Sequence, residues 1–198
     1  MRILLLAPVP FYQDRGTPIA VSLLLRALSE RGDHVDVLTY HEGRDVKIQR
    51  VTLHRIAKLS FMRNIRPGFS WKKVVCDFLM LLKSARLVRK NHFDLIIAVE
   101  ESVFIALAWK WIFKVPYVYD MDSSLAQQLV ERYPVLTPFS FLFRFCESLA
   151  VRNAIGVAPV CEALTAIILT YKPKKVVVLQ DISVLTDSRA EKKWEASS

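Results

Sequence analysis

Arg2-Ile3-Leu4-Leu5-Leu6-Ala7, Gly16-Thr17-Pro18 and Val35-Asp36-Val37-Leu38 decide the fold between them. The first is a short apolar run bounded by Pro8, the pattern of a strand buried on both faces. Thr17 can cap the free N–H groups of a helix while Pro18 fits its first position. Ala20, Leu24, Ala27 and Leu28 then supply an apolar face, and Gly32 is the expected C-terminal stop. The third stretch resumes as a strand. Strand, helix and strand within forty residues make a parallel unit with a right-handed crossover.

The alternation continues outward from this unit. Residues 47–56 read as a strand and residues 58–70 as a basic loop. A long helix over 71–91 follows, its expected core face carrying Trp71, Val74, Val75, Phe78, Leu82 and Ala85. Strands are expected at 94–99, 117–119, 155–160 and 175–179, separated by helices at 102–113, 123–131, 138–153 and 162–171. The fold class is therefore α/β, a Rossmann-like, doubly wound parallel sheet in a single domain over residues 1–185. Residues 186–198 are polar and are expected to form a disordered tail.

Composition agrees with a single core. The 198 residues are 53% hydrophobic with a mean hydropathy of +0.26, as expected of strands buried on both faces or of contact with a membrane. No uninterrupted apolar run reaches the roughly 18 residues of a membrane span, because Lys83, Lys110, Lys114 and Arg144 break the candidates. The N-terminus lacks a signal-peptide pattern, so a cytoplasmic protein, peripheral on the membrane, is the expectation. Cys76, Cys146 and Cys161 are too widely spaced for a zinc site or disulfide framework and are read as buried apolar residues. The net charge is +9, but residues 44–90 alone carry thirteen Lys and Arg against two Asp, a net +11. Such a block seeks phosphates. No helix-turn-helix, zinc finger or RNA-recognition signature accompanies it, which excludes nucleic acid as the expected partner and leaves an anionic membrane surface.

Ligands of open parallel sheets gather at the carboxyl ends of the strands, which directs attention to four segments. In Gln13-Asp14-Arg15-Gly16-Thr17-Pro18, a Gly before a helix N-terminus admits a phosphate, or serves the turn alone. Neither GxGxxG nor GxxxxGK[ST] is present, which lowers a dinucleotide or NTPase reading. Glu100 and Glu101, after the fourth strand, can orient a sugar hydroxyl or act as a base, or form the acidic first turn of a helix. Asp120-Met121-Asp122 can hold a divalent metal at a nucleotide diphosphate, or cap the helix that follows. Arg63, Arg66, Trp71, Lys72 and Lys73, with Phe61 and Phe69 interleaved, suit an interfacial membrane or acceptor contact, or a core helix with a solvated basic face.

These stretches together resemble the N-terminal domain of glycosyltransferase family 4, in its GT-B fold. The matching pieces are Met1-Arg2-Ile3-Leu4-Leu5-Leu6-Ala7-Pro8, Gly16-Thr17-Pro18, and Ala27-Leu28-Ser29-Glu30-Arg31-Gly32-Asp33-His34-Val35-Asp36-Val37-Leu38-Thr39. Phe93-Asp94-Leu95-Ile96-Ile97-Ala98-Val99-Glu100, Val115-Pro116-Tyr117-Val118-Tyr119-Asp120 and residues 147–164 complete them. The resemblance implies hexosyl transfer from a nucleotide sugar, without a required metal or other cofactor. It puts Gly16 and Thr17 in the loop facing the donor diphosphate, and Glu100, Glu101 and Asp122 near the reacting sugar and acceptor. Histidines that many members carry near Val99 and at Asp122 are absent here. It further implies a C-terminal donor-binding half, with a Glu-x7-Glu motif, for which nothing after residue 185 has room. The expectation is an acceptor-side half, inactive without that companion or a partner subunit.

Two alternatives remain at this point. One is a non-catalytic membrane- or partner-binding module on the same fold. The other is a metal-dependent transferase using Asp120 and Asp122.

Overall fold

The structure, a computed structural model, describes residues 1–10, 16–43, 45, 47–58 and 71–179. The loop containing Arg63 and Arg66 and the polar tail expected at 186–198 lie outside the described residues.

Among the described residues six strands form one parallel sheet: β1 (Arg2–Ala7), β2 (His34–Thr39), β3 (Val51–Arg55), β4 (Leu95–Val99), β5 (Tyr117–Met121) and β6 (Gly156–Pro159). Their order is β3-β2-β1-β4-β5-β6, and every pair is parallel. The order reverses beside β1, where β2 lies on one side and β4 on the other, so the crevice between β1 and β4 is the switch point at which such sheets bind ligands.

Among the described residues six α-helices accompany the sheet: α1 (Gly16–Glu30), α2 (Trp71–Lys90), α3 (Val103–Phe113), α4 (Leu125–Arg132), α5 (Ser140–Asn153) and α6 (Glu162–Thr170). Two cores result, as double winding requires. Val21, Leu25 and Leu28 of α1 pack with Ile3, Leu5 and Val37 on one face of the sheet. Helices α2, α3, α5 and α6 cover Leu4, Leu6, Ile96, Ala98, Tyr117 and Tyr119 on the other. Successive β1 side chains alternate between these cores, so its near-continuous Leu run has no polar face.

The end of α1 shows why Gly32 stands where it does. Its φ is +93°, its N–H donates to Ser29 O, and the next N–H, of Asp33, donates to Leu28 O. This Schellman closure needs a left-handed residue that only Gly adopts without cost.

Several expectations are corrected. The core face of α1 is Val21, Leu25 and Leu28, with Ala27 exposed. Both registers share the 3.6-residue spacing, and the one burying the larger side chains wins. Helix α2 departs further. Its core face is Cys76, Met80, Ser84, Leu87 and Val88, while Trp71, Val74, Phe78 and Leu82 are exposed on an outward stripe. The helix expected over 138–153 is α5, which starts two residues later because Pro134–Phe139 form a 3₁₀ segment. The expected last strand is a short edge ladder, with Val157 N–H donating to Lys175 O and Val177 N–H to Val157 O. Of the cysteines only Cys76 is buried, whereas Cys146 is half-buried and Cys161 exposed.

Residues 134–153 are long and apolar enough to cross a membrane by length and composition alone. Glu147 within them is nevertheless buried against the domain. Its carboxylate accepts from Ser124 Oγ at 3.0 Å and from the Tyr171 hydroxyl at 3.1 Å, and also from Ala126 N–H. The segment is thus tied to α4 and to the end of α6.

Candidate functional site

Strand β4 ends in Glu100, Glu101 and Ser102, which form a single 3₁₀ turn. Ser102 is buried, and its Oγ bridges Val99 O at 2.7 Å and Leu6 O at 3.0 Å, fastening the turn to the end of β1 across the switch point. Glu100 is held at φ +49°, a left-handed conformation that costs a non-glycine residue about 1 kcal/mol or more. Both glutamates consequently face the carboxyl edge of the sheet rather than continuing β4.

Opposite them stands Lys73, in the first turn of α2. Its Nζ is 2.5 Å from Glu101 Oε1 and 3.7 Å from Glu100 Oε2, and all three side chains are less than 20% exposed. Burial alone would lower the Lys73 ammonium, but the Glu101 and Glu100 charges outweigh it and hold the group above its ordinary value. Burial raises Glu100, and the adjacent Glu101 charge adds to the rise while Lys73 opposes it. Glu101 is likewise raised by burial against the pull of Lys73. One turn along α2, Asp77 accepts a 2.5 Å hydrogen bond from the Tyr40 hydroxyl. Burial pushes Asp77 up to about 6, even though Tyr40 and Lys73 favour its charged form.

The other half of the site joins α1 to β5. Thr17 Oγ1 donates to Asp122 Oδ2 at 2.9 Å, linking residues 105 positions apart. Asp122 immediately follows β5, and Ser124 caps α4 by accepting from Gln127 N–H at 3.3 Å. Capping of α4 therefore falls to Ser124. Between these groups Tyr119 is fully buried, and among the described residues its hydroxyl has no hydrogen-bond partner. Burial, and then the charges of Glu147, Glu100, Glu101 and Asp122, keep that phenol far above its ordinary value.

A cleft of about 610 Å³ opens beside this cluster, with Lys73, Asp77, Glu101, Phe104, Leu129 and Arg132 among its walls.

Of the residues singled out in the sequence, Thr17 and Asp122 meet directly, and Glu100 and Glu101 meet through Lys73. Gly16 is the first residue of α1. Trp71 and Lys72 are exposed on α2, whereas Lys73, grouped with them as a surface contact, turns inward. Asp120 sits within β5, opposite Val99 of β4 and Ala158 of β6. Among the described residues no group of three or more His, Cys, Asp or Glu is arranged to hold a metal ion. Tyr40 and Asp77 were missed by sequence reasoning. Asp77, the lone acid in the otherwise basic stretch of α2, was the available signal.

Residues 15–180 match the model of the glycosyl transferase 4-like domain. No relative is found among the curated proteins. Among solved structures the chain is similar to sucrose-phosphate synthase from Thermosynechococcus elongatus, at 16% identity over 90% of this chain and 47% of that one, with a TM-score of 0.66. A second sucrose-phosphate synthase chain from that organism matches at 14% identity over 99% of this chain and 97% of its own, with a TM-score of 0.62. A UDP-glucosyltransferase from Polygonum tinctorium matches at 8% identity over 92% of this chain and 52% of that one, with a TM-score of 0.54. The chain thus spans about half the length of the first and third of these proteins. At such identities the likeness is one of fold, that of the N-terminal half of GT-B glycosyltransferases. The match to the domain model covers most of the chain, and by it the chain belongs to the glycosyl transferase 4-like family.

Proposed function

We propose that this chain is the acceptor-side half of a glycosyltransferase that moves a hexosyl group from a nucleotide sugar to an acceptor hydroxyl. The observation that carries this reading is the convergence of Thr17, Glu100, Glu101 and Asp122 at the carboxyl edge of the sheet, around its switch point. In the reaction, the bond between the anomeric carbon and the nucleotide diphosphate breaks, and a bond to the acceptor oxygen forms. The hydroxyl proton leaves to a base, and the diphosphate departs with the bonding electrons. Asp122, oriented by the Thr17 hydroxyl, and the Glu100 and Glu101 pair, anchored by Lys73, are the groups assigned to holding that hydroxyl. Gly16 and Thr17 face the donor diphosphate, whose charge a C-terminal half, or a partner subunit, neutralises. No metal is assigned to this chain.

The test is reconstitution. The chain is mixed with candidate C-terminal GT-B halves, and nucleotide release from sugar nucleotides is measured. Turnover that needs both halves and is lost in Asp122→Asn is the expected result. No turnover with any complementing half would count against the reading.

A second role is favoured by the outward stripe of α2, where Trp71 is 75% and Phe78 57% exposed beside the exposed Lys72 and Arg86. Apolar side chains flanked by cations suit an interfacial contact with an anionic membrane, on its cytoplasmic face. Binding to vesicles containing phosphatidylserine should weaken with salt and in Lys72→Glu/Arg86→Glu. Unchanged binding in that double variant would remove this role.

A further inference from the structure

Two hollows meet on the helical side of the site. The cleft of about 610 Å³ sets Lys73, Asp77 and Glu101 against Val74, Leu125 and Leu129. A second hollow, of about 400 Å³, adds Phe78, Leu81 and Ile105. The two share Asp77, Glu101 and Phe104, so they form one trough that runs from the carboxylates of the site, past Phe104, onto α2. Each is of the size at which small-molecule sites occur, roughly 300–1,000 Å³.

The two ends of the trough differ in chemistry. Its polar end is rich in acceptors, because two carboxylates, Asp77 and Glu101, line it beside the Lys73 ammonium. Glu131 and Arg132 at the other wall are opposite in sign. Such an end hydrogen-bonds hydroxyl groups and disfavours a phosphate. Its apolar end holds Val74, Phe78 and Phe104, which are 40%, 57% and 38% exposed. The fold does not need them for its core, since α2 buries Cys76, Met80, Leu87 and Val88 on another face. A free sugar at the carboxylates would leave these side chains in water, whereas a hydrocarbon chain would cover them.

Resting on the acceptor-side reading above, we infer that the trough takes an amphiphilic acceptor, with an uncharged polyol head at Glu101 and Asp77 and a hydrocarbon tail along Val74, Phe104 and Phe78. The acceptor is then drawn from lipid glycosides or polyol lipids rather than from soluble sugars or phosphorylated lipids.

The probes are hexyl and octyl β-glucoside, each below its critical micelle concentration, with octyl phosphate and free glucose for comparison. Binding to the whole chain is followed by calorimetry. Octyl glucoside should bind tighter than hexyl glucoside, by about twofold or more per methylene, and at least tenfold tighter than glucose or octyl phosphate. Phe104→Ser should weaken octyl glucoside at least fivefold with circular dichroism unchanged. Ile112→Ser, which removes an exposed apolar side chain two turns further along α3, should leave binding as it was. Equal affinity for glucose, preference for octyl phosphate, or the same loss in both variants would overturn the inference. So would absence of binding by either glucoside, whatever the reconstituted transfer assay reports. Binding as expected, without transfer by any complementing half, would instead sink the transferase reading.

Discussion

The Thr17 hydroxyl donates to the Asp122 carboxylate at 2.9 Å, joining the first turn of α1 to the end of β5. Asp122 is half-buried at the sheet edge, directly after β5. A hydroxyl there orients the acid without changing its charge. Thr17→Val should therefore lower transfer in the reconstituted enzyme about tenfold, and Asp122→Asn by roughly 10²-fold or more. Stability should fall by only about 1 kcal/mol in Thr17→Val. Steady-state kinetics beside urea denaturation separates the two effects, and a loss of activity that merely tracks stability would refute the orienting role.

Lys73 is predicted to be a residue whose removal destabilises the domain strongly. It lies between Glu100 and Glu101 with all three side chains mostly buried. Lys73→Met leaves two carboxylates without their cation and should cost about 3–5 kcal/mol. Adding Glu101→Gln to that variant removes one stranded charge and should recover part of the loss. Urea denaturation of the wild type, both single variants and the double variant measures the coupling. Additive losses would show that the pair does not interact.

Strand identity was legible where hydrophobic content alone decides it. The run from Ile3 to Ala7 buries every side chain, and Gly32 marked the end of α1 because only a left-handed residue closes it there. The orientation of α1 and α2 was not legible in the same way. Helix α2 carries Trp71, Val74, Phe78 and Leu82 on one stripe and Cys76, Met80, Leu87 and Val88 on another. Periodicity establishes that both stripes exist but not which one meets the sheet. The carboxylates of the site could be named because they follow strand ends. Their partners could not, since Lys73 approaches Glu101 from 28 positions away and Thr17 reaches Asp122 across 105. Basic neighbours in sequence made Lys73 look like part of a surface patch, when packing of α2 beside the β4 turn buries it.

Asp77 should make the domain's stability fall as pH rises. Burial brings its native value to about 6 from an ordinary 3.8, so folding takes up a proton between those values. Relative to pH 4, that difference withdraws about 2.4 kcal/mol by pH 7, because an acid raised in the native state loses its advantage once it ionises. Asp77→Asn keeps an acceptor for Tyr40 and cannot ionise. It should therefore be more stable than the wild type at pH 7.5, and by much less at pH 4. Thermal unfolding across pH 4–8 tests this, with about 2–4 °C expected per kcal/mol. Parallel profiles for the two proteins would show that Asp77 does not titrate in this window.

Glu147 supplies the last prediction, because it holds together three elements that local sequence does not connect. Its carboxylate accepts from Ser124, from the Ala126 N–H at the start of α4 and from Tyr171 after α6, and the residue is 1% exposed. Glu147→Ala opens a cavity and strands two buried donors and the half-buried Tyr171 hydroxyl, for a cost of about 3 kcal/mol or more. Glu147→Gln keeps one acceptor oxygen and the volume, and should cost about 1–2 kcal/mol. Hydrogen exchange distinguishes a local from a global effect. In Glu147→Gln the amides of α4 should lose protection before those of β1 and β4, since the carboxylate holds the Ser124 cap and the Ala126 N–H at the start of α4. Uniform loss across the sheet would mean that Glu147 supports the whole core rather than the position of α4 beside the cleft.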